Sequence, residues 1–325
     1  MLRRPSLLNA LRRIGLAGSV GYILLFYSER MFWSVWRPED GPASLLATLI
    51  VYAIAADISL AAIRWFRVRA ASAMFLVGAA FGWLIEGVFA MTLFGAGGVV
   101  FPITIAWTGL AWHALISVML GLYALPLALL HSLHRSLLVS ASLGIFWGVW
   151  SVWWERQAAP VDWQRFLAHA LIAALVLIPA YRAMHVLRVG RLGPSRTETA
   201  LLAIPALSWF ALVTVPVQGV LALIVLPVLF GAIFVALRRN RQAEIRPDFL
   251  AMIDERIPWT RSACLLVMPV LATLVHEAAR NSADPPATNV LVLVVTAPLG
   301  AIAFIVSLWR CLRWHRPASP SSVDQ

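Results

Sequence analysis

The sequence has no lysine, only two cysteines, and few charges of either sign: 13% of its 325 positions. A soluble domain carries about a quarter charged residues. With 61% of positions hydrophobic, so little charge excludes a water-soluble monomer. Cys264 and Cys311 stand far apart, which excludes a disulfide framework or a cysteine metal centre. Glycine is missing between positions 238 and 261, the longest polar stretch, so no phosphate-cradling loop is written there. His276-Glu277 opens HEAARN rather than H-E-x-x-H, and no aspartate-rich prenyl-diphosphate motif occurs. No small-residue cleavage site follows the basic start MLRRPSLLNALRR, so an uncleaved first span is expected.

What the chain does have is apolar runs of about 20 residues, enough to cross a bilayer. They lie near 14–34, 43–63, 71–93, 103–130, 136–154, 164–187, 198–216, 218–237, 262–280 and 289–309. The expected fold is therefore all-α: a polytopic transmembrane bundle of about ten spans forming one membrane domain over 1–325. Alternate gaps and tails hold 21 of the 26 arginines, leaving Arg30, Arg37, Arg156, Arg165 and Arg280 opposite. This bias puts both termini inside, in the inner membrane of a bacterium, with 1–13, 238–261 and 310–325 cytoplasmic. It also explains the net charge of +11 without a nucleic-acid partner. Trp150, Trp153, Trp154 and Trp163 flank one outer loop as an aromatic belt would. Five spans per half would make the halves inverted, a transporter plan, although no internal repeat is visible. Prolines fall inside spans four and six to ten, suggesting a bending half against a stiffer one.

Ionisable residues within spans mark candidate sites, because a charge at mid-membrane costs about 2.5 kcal/mol or more. Asp57 lies between Ala53 and Ala61, Glu86 on a stripe with Gly78, Gly82 and Ala90, and His113 with Gly109, Ser117 and Gly121. Residues four apart share a helix face, and small-residue faces are where membrane helices approach closely. All three should therefore point into the bundle. Glu29 and Arg30 fall in the outer part of span one, with Arg30 as counter-charge for Glu86. The expected site is an outward-facing polar pocket of Glu29, Arg30, Glu86 and His113, walled by Trp83 and Trp107, with Asp57 below it.

The H-x-x-H of His131 and His134 is a single box, so no cofactor or metal is expected. These features suit a transporter, proton-coupled through the buried acid and histidine groups, for a small organic or amphipathic solute. An intramembrane enzyme with Glu86 as base and His113 as partner is the alternative. A third reading is a non-catalytic subunit bound to another membrane protein. The expected partners are the lipid bilayer and a small-molecule or lipid-like substrate.

Overall fold

A computed structural model describes residues 7–96, 98–155, 161–187, 195–244, 246–282 and 287–313. The fold is an all-α membrane bundle. Among the described residues ten long helices follow one another: α1 (Leu7–Leu25, prolonged by a π turn at Phe26–Arg30 and by Met31–Trp33), α2 (Pro42–Trp65) and α3 (Ala71–Trp83, then π-helical Leu84–Phe89). Next come α4 (Ile105–His131, π-helical to Ala124), α5 (Leu133–Trp150) and α6 (Trp163–Val186). The last four are α7 (Thr197–Gln218), α8 (Val220–Gln242), α9 (Trp259–Arg280) and α10 (Thr288–Leu312). A two-stranded antiparallel hairpin, Gly95–Ala96 with Val99–Val100, links α3 to α4.

Eight of these helices are long and apolar enough to cross a membrane, two fewer than the sequence suggests. The two that fall short are α1 and α5. Arg12 and Arg13 interrupt α1, while His134, Arg135 and three serines dilute α5. The basic stretches 1–6 and 314–325, with Arg156, Arg188 and Arg191, lie outside the described residues.

Local chemistry sets the helix ends. Pro42 starts α2 at a position where its missing N–H is not needed. Ser132 breaks α4 from α5 and caps the latter by accepting from the Arg135 N–H. Asp162 caps α6, and Ser195 with Glu198 forms a reciprocal capping box at the start of α7. Gly219, with φ +62°, makes the sharp reversal between α7 and α8.

The loops gather at two ends. At one, Ser34 bonds Ser151, Arg280 donates to the Val161 carbonyl, and Thr288 donates to the Trp150 carbonyl. At the other, the Phe249 N–H donates to Val68, Arg182 donates to Ile257, and Arg261 donates to Leu129 and Leu130. Between the ends, small residues set the packing. A Cβ on Gly82 would strike Gly109, one on Gly21 would strike Ala53, and one on Gly148 would strike Ala272. These contacts seat α3 on α4, α1 on α2, and α5 on α9.

The inverted five-and-five plan has no counterpart in this packing. In the first half α1 lies closely along α2 and α3 along α4, whereas α6 with α7 and α8 with α9 barely touch. Nor is the first half the regular one. Its helices α1 to α3 hold no proline beyond Pro42 at the start of α2, yet α1, α3 and α4 carry π-helical segments at 26–30, 84–89 and 105–124, against one at 210–214 in the second half.

Candidate functional site

Those three π-helical segments meet, and each delivers a polar side chain to the same point. Glu86 Oε1 lies 2.5 Å from His113 Nε2. On the other side of the ring, His113 Nδ1 lies 2.9 Å from Ser28 Oγ, which in turn is 2.8 Å from Ser117 Oγ. Thr92, just beyond α3, folds back so that its hydroxyl donates to Glu86 Oε2. A π turn widens the helix and re-aims side chains, and such turns are frequent at functional sites. The approach of α3 to α4 is equally demanding: a Cβ on Gly82 would stand 2.9 Å from the Cβ of His113.

This chain of groups is satisfied with either proton placement. With Glu86 ionised, His113 Nε2–H donates to it, Ser28 donates to Nδ1, and Ser117 donates to Ser28. With Glu86 protonated, it donates to Nε2, Nδ1–H donates to Ser28, and Ser28 donates to Ser117. Each hydroxyl and ring nitrogen serves both roles. Ser28, His113 and Ser117 are buried, while the Glu86 side chain retains 13% exposure. The carboxylate is thus the most accessible group of the chain.

The remaining expected members go elsewhere. Arg30 is not the counter-charge of Glu86. It donates to Asp40 at 3.0 Å, while its carbonyl lies 2.9 Å from His169 Nε2 and its guanidinium stacks on Trp36. The reason is the loop after α1. Arg37 also binds Asp40, folding that carboxylate over the end of the helix where Arg30 emerges. Burial alone would raise the Asp40 pKa, but hydrogen bonds from Arg37 and Arg30 outweigh it and hold the carboxyl below its usual range. Glu29 accepts from Tyr52 OH at 2.8 Å and from Trp33 Nε1 at 3.0 Å. Tyr52 also lies beside Ser28 and within electrostatic reach of Glu86, so Glu29 reaches the cluster through Tyr52.

Glu86 also stands shallower than a span over 71–93 implies. The helix ends at Phe89, and Met91 turns the chain with φ +60°, leaving Glu86 about one turn from the end. Trp83 does not wall an open pocket, since its indole donates to the Ile105 carbonyl and packs on Phe304. Trp107 packs against Trp150.

Asp57 hydrogen-bonds none of these groups. Its Oδ2 is buried without a partner among the described residues. It lines a separate cavity between α1, α2 and α7.

A second cavity of about 360 Å³ lies between α2, α3, α7 and α8 and is almost wholly apolar. Phe81 forms its inner wall, and the same ring packs edge-on against His113 and tilted against Tyr52. One aromatic side chain therefore separates an apolar chamber from the buried acid–imidazole chain.

Ser28, Ser117, Thr92 and Tyr52 were not singled out as site residues from the sequence. Ser117 had a signal, being one turn from His113 on the same stripe. Thr92 had none, because only the reversal at Met91 brings it back. Among the described residues, no three His, Cys, Asp or Glu side chains converge as a metal site would need. Compared with known protein families, curated proteins and solved structures, the chain matches none.

Proposed function

We propose that this multi-pass membrane protein is a proton-coupled transporter of a small amphipathic solute in a bacterial inner membrane. The observation that carries the reading is the Glu86–His113–Ser28–Ser117 chain, closed by hydrogen bonds in both proton arrangements. A merely structural carboxyl–imidazole pair needs no hydroxyl relay behind it.

Taking a proton on Glu86 removes the charge that fixes His113 as a donor. The ring, Ser28 and Ser117 then reverse their hydrogen bonds, and the fit between α1, α3 and α4 changes with them. The apolar chamber behind Phe81 suits the hydrocarbon part of the solute. Its far walls are α7 and α8, and α7 is the least buried of the eight helices long and apolar enough to span.

A second reading rests on the same distances. Ser28, His113 and Glu86 have the order nucleophile, base and orienting carboxylate of a hydrolase. Burial of Ser28 behind Ser117 weighs against it.

One experiment separates them. In proteoliposomes under an imposed pH gradient, a fluorescent single-chain amphiphile should cross in a gradient-dependent manner. Glu86→Gln should lower that rate by about tenfold or more while leaving the folded yield unchanged. Undiminished gradient-driven movement in the variant sinks the proton role. In parallel, covalent labelling of Ser28 by a fluorophosphonate, lost in Ser28→Ala, selects the hydrolase instead.

A further inference from the structure

The cavity beside Asp57 is a different object from the chamber behind Phe81. It measures about 530 Å³ and lies between α1, α2 and α7. Most of its wall is aliphatic, from Ile14, Ile50, Ile54 and Leu201. Three charged groups line it: Arg13 from α1, Asp57 from α2 and Glu198 from α7.

These charges do not cancel. Arg13 and Glu198 form an ion pair with each other. Asp57 is 8% exposed, and its buried Oδ2 has no partner among the described residues. A buried carboxylate oxygen without a partner is costly, more so within a membrane bundle. Such an atom calls for an explanation, and a water, an ion or a ligand head in the adjoining cavity would supply one. The missing complement is a donor carrying one positive charge. The Arg13 Nε–H is also unpaired, but Arg13 is already neutralised by Glu198 and adds no net positive charge.

The groove is open at its side. Ile14, Ile50 and Leu201, at its rim, are largely exposed, and the outer face of α7 is exposed over most of its length. In a bilayer that rim faces acyl chains. A ligand entering there brings a hydrocarbon tail along the aliphatic wall and its head to the charged floor.

We infer that this groove binds a single-chain amphiphile with a primary ammonium head, the ammonium donating to the Asp57 carboxylate and the tail lying on Ile14, Ile50, Ile54 and Leu201. The site is independent of the Glu86–His113 chain, so the two readings stand or fall separately. Glu198 lies on the same helix as Ala203, Ala206 and Leu207, which line the apolar chamber. Occupancy of the groove therefore bears on the helix that closes the other cavity.

The test uses the full-length protein in nanodiscs of phosphatidylcholine and a long-chain primary amine with a photoreactive diazirine in its tail. Cross-links should map to segments 49–57 and 198–202, and unlabelled dodecylamine should compete. Asp57→Asn should weaken labelling by about tenfold, the loss expected for one charge-assisted hydrogen bond. Leu201→Trp fills the groove from an exposed position and should also abolish labelling, so the test survives misfolding of the Asp57 variant. Glu86→Gln should label like the wild type. Undiminished labelling of folded Asp57→Asn overturns the proposal. So does equal labelling by the matching alcohol, which makes the groove a tail site only, or by the alkyl phosphate, which reassigns the head to Arg13.

Discussion

At the scale of single residues, a buried charge takes the partner that the backbone brings within reach, not the one that helix spacing suggests. Glu86 and Arg30 were expected to neutralise each other. Glu86 found an imidazole and a threonine hydroxyl, and Arg30 found Asp40. The Arg30–Asp40 pair is nearly solvent-free, with side-chain exposures of 3% and 2%. Removing one partner of such a pair costs about 3–5 kcal/mol, because the other is left buried and uncompensated. Asp40→Asn should therefore lower stability at neutral pH by an amount of that order, read by thermal unfolding in detergent. The sign of the pH effect follows from the depressed carboxyl. Its contribution is fully present above the unfolded carboxylate value of about 3.9 and is lost as pH falls through the lower folded value. The wild type should show an acid-dependent loss in that window that the variant lacks. Equal stability of the two at neutral pH would contradict the pairing.

Helices decide how these residues meet, and here part of the arrangement was legible in the sequence. The stripes Gly78–Gly82–Glu86 and Gly109–His113–Ser117 each put an ionisable group on a small-residue face turned into the bundle. The hydrogen bond between them follows from the resulting contact of α3 with α4. What the stripes do not reveal is the π winding of all three contributing segments. Apolar periodicity reports which face is buried, but a change from i→i+4 to i→i+5 bonding leaves the composition of that face almost unaltered. Gly82 offers the sharpest check. A methyl there meets the Gly109 carbonyl and Cα, backbone atoms that cannot swing aside. Gly82→Ala should cost about 1–3 kcal/mol as overpacking and separate Glu86 from His113. Gly231→Ala, with nothing within 4 Å of the added carbon, should be tolerated. If both variants melt alike, the close approach of α3 and α4 is wrong.

For the whole molecule, orientation is the outstanding expectation. The described arginines crowd the end where Arg182 and Arg261 hold the loop carbonyls, and Arg37 and Arg280 lie at the opposite end. The positive-inside rule predicts that the first of these ends is the cytoplasmic one. Single cysteines test this, since the native Cys264 and Cys311 are both buried. Glu39→Cys should react with an impermeant maleimide in intact cells, whereas Arg246→Cys should react only after permeabilisation. The reverse pattern would invert the molecule, and with it the side from which Glu86 exchanges protons.

The sequence by itself determined that this is a helical membrane protein, where most of its spans lie, and which face of each carries the ionisable groups. Hydrocarbon length, apolar runs and helical periodicity are local properties, readable one segment at a time. It overcounted by two where arginine and serine thin an apolar run, as in α1 and α5. Only the tertiary structure decided the pairings. The turn at Met91 returns Thr92 to Glu86, the loop through Asp40 takes Arg30 away, and the distance of α7 from the core leaves Asp57 facing a groove. Each depends on contacts between residues far apart in the chain, and a hydrogen bond is made or lost over less than an ångström, a precision that no pattern of residue types along one helix carries.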